Sequence, residues 1–188
     1  MSNKLLEKYS PPVRYQGGIN TNLPATFGGN VTVTGTLTAN GASTEKMAVI
    51  SGQGATATLT AAQSGSTVLF DRASGIVYTL PAPAVGLYYD FFVTVTVTSN
   101  SYKVITDAGT TLLIGTLVNV DTDSSNAVAA WTGNGSSHIA VTQAAASSNA
   151  TGGVQGTWVR FTCVSSTLWS VQGHIQGAGT VATPFATS

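Results

Sequence analysis

Between Tyr89 and Thr98 the side chains alternate with a period of two: Tyr89, Phe91, Val93, Val95 and Val97 share one face, and Asp90, Phe92, Thr94, Thr96 and Thr98 the other. That alternation puts successive side chains on opposite sides of a pleated strand, whereas a helix brings like residues together every three or four positions. The same period returns along most of the chain. Ser66–Phe70 and Ile76–Leu80 flank Asp71-Arg72-Ala73-Ser74-Gly75, which reads as a hairpin loop, and Pro81-Ala82-Pro83 ends the second of these strands. Tyr102–Thr106, Thr111–Val120 and Ala127–Trp131 follow, and Gly133-Asn134-Gly135 turns the chain before His138–Thr142. Thr157–Val164 and Leu168–Gly173 are joined by Ser165-Ser166-Thr167, with Val159, Phe161 and Cys163 facing the core opposite Trp169 and Val171. Short strands at spacings of about 8–12 residues predict a sandwich or barrel.

The expected fold is all-β, with a β-sandwich or jelly-roll-like domain over residues 61–176. Residues 1–27 form an extended arm: Pro11-Pro12 end any helical turn over Ser2–Tyr9, and Gly17-Gly18 and Pro24 keep the chain irregular. Residues 28–60 are a thin β segment. Val31, Val33 and Leu37 share one face with threonines on the other, and Asn40-Gly41 predicts a tight turn. Its threonine faces carry little bulk, so pairing with neighbouring subunits is expected. Residues 177–188 are a small-residue tail that offers a further contact element.

Charge narrows the function classes. Only 7% of the 188 residues are charged, seven basic against seven acidic, where roughly 25% is ordinary for soluble domains. A surface of Thr, Ser, Asn and Gly suits contact with other protein surfaces, where burying charge is costly. Nucleic-acid binding needs clustered Lys and Arg, and the chain has no such cluster. A membrane span needs about 18 consecutive apolar residues, and the N-terminus lacks the apolar run of a signal peptide. The expected site of synthesis is therefore the cytosol.

Residues suited to chemistry are sparse. Cys163 is the only cysteine and stands in the core phase of its strand, so an inert buried thiol is expected. His138 and His174 have no nearby carboxylate pattern, and the seven acids are scattered, so neither a catalytic constellation nor a glycosidase pair emerges. Asn119-Val120-Asp121-Thr122-Asp123-Ser124-Ser125 places oxygens at alternate positions, but lacks the glycine and terminal glutamate of a calcium-binding loop. It reads as a polar turn. No metal, cofactor or catalytic residue is expected. Phe92 and Trp158 lie opposite the core phase of their strands. A neighbouring subunit covering that face accounts for them better than a sugar-stacking platform, whose accompanying polar residues the sequence does not place.

Gly29-Asn30-Val31-Thr32-Val33-Thr34-Gly35-Thr36-Leu37-Thr38-Ala39-Asn40-Gly41 resembles the Thr/Val/Gly-rich β segments of tailed-bacteriophage virion proteins. Tyr78-Thr79-Leu80-Pro81 through Gly86 to Phe92, and Leu168-Trp169-Ser170-Val171-Gln172-Gly173, are similar to segments of small phage structural proteins. The resemblance covers about half the chain and is closest to head decoration (capsid cement) proteins, less so to tail fibres. It implies a non-enzymatic homotrimer, assembled in the host cytoplasm, that binds the outside of the head at junctions between major capsid protein subunits. The arm residues Lys4, Leu5, Leu6, Tyr9, Arg14 and Tyr15 would then contact the shell. The alternatives are a tail-fibre or receptor-binding protein recognising a host-surface glycan and, more distantly, a polysaccharide-cleaving enzyme.

Overall fold

A computed structural model describes residues 34–36, 46–123, 127–144 and 149–188. The chain divides into two units, Met1–Thr44 and Glu45–Ser188. Of the first, residues 34–36 form an exposed bend. The arm residues Lys4, Leu5, Leu6, Tyr9, Arg14 and Tyr15, the alternation at Val31–Thr38 and the Asn40-Gly41 turn lie, apart from that bend, outside the described residues.

The second unit is an all-β sandwich, as the alternation predicts. Its strands are β1 (Val49–Ile50), β2 (Thr56–Thr58), β3 (Thr67–Phe70), β4 (Ile76–Thr79), β5 (Tyr88–Val93), β6 (Ser101–Ile105), β7 (Leu112–Asp121), β8 (Val128–Asn134), β9 (Ala140–Ala144), β10 (Trp158–Ser165), β11 (Leu168–Gly177) and β12 (Phe185–Ala186). One sheet has the order β1-β3-β5-β10-β11-β7-β8, the other β12-β9-β6-β4-β2. From β1 to β6 every strand lies in the sheet opposite its predecessor, so β1, β3 and β5 pair in parallel and so do β2, β4 and β6. Both sheets are therefore mixed, unlike the antiparallel sheets of a jelly roll.

This winding corrects one local expectation. Asp71–Gly75 is not a hairpin loop: it carries the chain from β3 in one sheet to β4 in the other. The turn itself is as tight as a hairpin's, with the Gly75 N–H donating to the Arg72 carbonyl at 2.9 Å. What decides the outcome is packing. Phe70 and Tyr78, at the two strands, meet edge-to-face at 5.3 Å across the core instead of lying side by side. The Ser165–Thr167 turn, by contrast, does join an antiparallel hairpin, β10–β11, and Cys163 pairs with Trp169 and Phe161 with Val171 as expected.

One further expectation changes. The strand at Tyr89 stops at Val93, because the Thr94 and Val95 N–H groups both turn to the Phe70 carbonyl. Val95 is consequently exposed, while Val97 returns to the core. The C-terminal tail adds a short strand to the second sheet. β12 pairs with β9, and Phe185 is 5% exposed. Likewise β1 and β2 form the edge strands of the sandwich's own two sheets.

Between the sheets Phe70, Tyr78, Phe91, Tyr102 and Phe161 form one aromatic cluster, with ring centroids 4.5–5.7 Å apart along its contacts. Three buried tyrosines also carry hydroxyls into the interior, and each is satisfied by a carbonyl. Tyr78 donates to Leu69 at 3.0 Å, and Tyr89 to Thr60 at 2.8 Å. The Tyr102 hydroxyl lies between the Arg72 and Val95 carbonyls at 2.9 and 2.8 Å. Thr60, Arg72 and Val95 all sit in segments that cross between the sheets, so these phenols fix the crossovers to the core. Midway along β7, Gly115 adopts φ +110°, and a Cβ there would stand 2.2 Å from the Val171 carbonyl oxygen of β11. Only glycine lets the two parallel strands approach so closely.

Two outcomes follow from this core. Gly115→Ala should lower the unfolding free energy by about 3 kcal/mol or more, read in urea, because backbone must move to relieve the overlap. Burial pushes the Tyr102 hydroxyl up to about 12 and also raises Tyr78, with Asp71 adding to both. An unfolded chain releases those protons near the ordinary value of 10.0, so it binds fewer protons than the folded one above that pH. The stability these two tyrosines contribute should therefore be fully present below pH 10 and be lost steadily between pH 10 and about 12, and Tyr102→Phe should flatten that fall in melts taken across this range.

Candidate functional site

The outer face of the seven-stranded sheet carries the residues whose phase opposes the core. β5, β10 and β11 lie side by side, and their registers set Asp90, Arg160 and Gln172 in one cross-strand row and Phe92, Trp158 and His174 in the next. Thr67 of β3 and Thr116 of β7 extend the first row; Leu69 and Val118 extend the second. A polar row thus runs beside an aromatic one, both perpendicular to the strands.

Asp90 is the centre of this arrangement. Its side chain is only 4% exposed although it projects from the outer face, because Arg160 and Trp158 close over it. Arg160 donates from Nε to Oδ1 at 2.8 Å and from Nη2 to Oδ2 at 2.6 Å, a bidentate pair. The Trp158 indole N–H donates to Oδ1 at 3.1 Å. Three donors neutralise and desolvate one carboxylate, and in return both large side chains are locked in place. Hydrogen bonding to Asp90 raises the Arg160 pKa further, against the opposing effect of burial.

Around this anchor the rings are held close. The Arg160 guanidinium stands 5.2 Å from the Tyr88 centroid and 5.9 Å from that of Trp158, within cation–π range. Trp158 lies 6.4 Å from Phe92 and 6.1 Å from His174, each pair tilted by about 40–45°. His174 is steadied from below, its Nε2 lying 3.2 Å from the Gly156 carbonyl. Tyr88 and Phe92 remain 37% and 39% exposed, and the Arg160 side chain 44%. The polar residues that a stacking platform requires are therefore present. The non-core phase of Asp90 and Arg160 was a usable signal, but the pairing of β5 with β10, some 70 residues later, was not.

The other candidates are kept apart. The Cys163 thiol is buried against Trp169 in register, donates to the Ser165 carbonyl at 3.1 Å, and has its pKa raised chiefly by burial. His138 stacks on Phe185 at 5.4 Å and accepts the Asn134 N–H through Nδ1. At the end of β7 Asp121 is buried and its Oδ1 accepts the Asp123 N–H, while Asp123 Oδ2 accepts that of Gly179 at 2.6 Å. Asn119 donates to the Ala150 carbonyl at 2.9 Å. The Asp121 and Asp123 oxygens thus accept backbone N–H groups of a turn, the buried Asn119 Oδ1 accepts none, and Ser124 and Ser125 lie outside the described residues.

Removing the guanidinium leaves Asp90 covered but held by the indole alone. Arg160→Met should cost about 1–3 kcal/mol in urea unfolding, less than for a fully buried pair because the arginine is half exposed. Adding Asp90→Asn to that variant should recover part of the loss, since no charge is then stranded.

No protein-family model matches the chain, and neither a curated protein nor a solved structure matches it.

Proposed function

We propose that this chain is a non-enzymatic structural component of a tailed-phage particle, a head decoration protein that grips the shell through its N-terminal arm and associates with copies of itself through the sandwich. The observation that carries the assembly reading is the edge formed by β8, Val128-Ala129-Ala130-Trp131-Thr132-Gly133-Asn134. Its pairing with β7 is bounded by the bonds Asp121 N–H to Ala127 and Gly135 N–H to Leu113. By the alternation of an antiparallel ladder, Val128, Ala130 and Thr132 then turn their backbone groups away from β7. Proteins that stay monomeric guard such edges with lysine, proline or a bulge. β8 has no lysine or proline, and its register with β7 is unbroken.

The sparse charge supports the same reading, since neutral Thr, Ser and Ala surfaces cost little to desolvate in an interface. Trimerisation would multiply weak arm contacts into firm attachment. Arm and edge would divide the work, the arm for the shell and the sandwich for the oligomer.

Deletion of residues 1–27 should leave a folded oligomer that no longer binds undecorated capsids in co-sedimentation. Ala130→Pro, which removes one outward N–H, should lower the oligomeric state in analytical ultracentrifugation while the far-UV spectrum is kept. Unchanged capsid binding by the truncated chain refutes the arm's role, and a wild-type chain that sediments as a monomer refutes the assembly reading.

A further inference from the structure

The outer face of the seven-stranded sheet has an organisation that shell attachment by the arm does not require. Four large side chains, Tyr88, Phe92, Trp158 and Arg160, stand partly exposed there, and a buried carboxylate holds two of them by hydrogen bonds. A ring held in one orientation loses little conformational entropy when something stacks on it. The polar row of Arg160 and Gln172 lies one side-chain repeat along the strands from the aromatic row of Phe92, Trp158 and His174. Hydrogen-bonding groups of Arg160 and Gln172 therefore flank the stacking surface beside Trp158 and His174.

We propose that this face binds a neutral polysaccharide laid across the strands, its sugar rings stacked on Phe92 and Trp158 and its hydroxyl groups bonded by Arg160 and Gln172. Sugars present an apolar C–H face and an equatorial rim of hydroxyls, which is the chemistry that the two rows match. The site is an open sheet face rather than a cleft, so it suits an extended polymer better than a small ligand, which would need a concave pocket. Asp90 cancels the charge of Arg160, so no net field draws an anionic chain. A second protein copy is a poorer occupant. It would need to cover about 800 Å² and supply partners for a row that includes Thr67, Arg160, Gln172 and Thr116.

The inference holds wherever on a particle the protein sits, and its test is independent of capsid binding. Titration calorimetry of the full chain with cellohexaose, maltohexaose and chitohexaose, and with an alginate hexamer as the acidic comparison, is the measurement. At least one neutral hexasaccharide should bind, with little dependence on salt. Trp158→Ala and Phe92→Ala should each weaken it about tenfold or more, and Gln172→Ala several-fold. Phe92 is exposed enough that its variant keeps the fold if Trp158→Ala does not. Capsid co-sedimentation should be unchanged in Phe92→Ala. The proposal is overturned if no neutral hexasaccharide binds, if Phe92→Ala binds as the wild type does, if the alginate hexamer is preferred with a steep salt dependence, or if Phe92→Ala alters the sedimenting species, which would make the face a contact between copies.

Discussion

The sandwich depends on hydroxyl-to-carbonyl bonds made inside an otherwise apolar interior. A chain that passes from one sheet to the other after nearly every strand must carry backbone polar groups past a dry core at each passage. Tyr78, Tyr89 and Tyr102 help here: the rings of Tyr78 and Tyr102 join the aromatic cluster, that of Tyr89 lies by Trp169, and the hydroxyls reach the carbonyls of Leu69 and Thr60 and the pair at Arg72 and Val95. A phenylalanine would fill the same space but forfeit those bonds, at about 1 kcal/mol each, since the Thr60 and Arg72 carbonyls also accept the Gln63 and Gly75 N–H groups. The crossovers are thus fixed by a residue type that is both apolar and a donor.

The outer face uses the same logic in reverse. Here a carboxylate takes the place of the carbonyls, and an indole and a guanidinium take the place of the phenols. The charge is kept on the exterior but dry, beneath the side chains it orients. Each member comes from a different position along the chain, so the arrangement exists only once β5 and β10 are paired. Fold and candidate site are therefore coupled through one strand pair.

How far the sequence foretold this depends on the range of the interaction. The inward phase of Tyr89, Phe91, Val159, Phe161 and Cys163, the exposed placement of Phe92, and the β10–β11 turn were all legible, because each is set by neighbours in sequence. Asp71–Gly75 misled because a tight turn fixes a reversal of the chain without fixing which sheet receives it. Val95 continued the alternation on paper, yet the Phe70 carbonyl captured two successive N–H groups and broke it. Phe185 lay in a stretch of small residues with nothing local to mark its burial. The anchoring of Trp158 by Asp90 was unreadable for the same reason: alternation gives the side of a strand, not its partner.

The position of the β10–β11 hairpin has a consequence for biogenesis. It lies within the seven-stranded sheet, between β5 and β7, although it follows β5, β7 and β8 in the sequence. Until it emerges from the ribosome, β1-β3-β5 and β7-β8 are two separate fragments of one sheet, each with an open margin where the hairpin belongs. Closure of that sheet therefore waits for the hairpin, and a chain cut before β10 lacks the keystone rather than a peripheral strand.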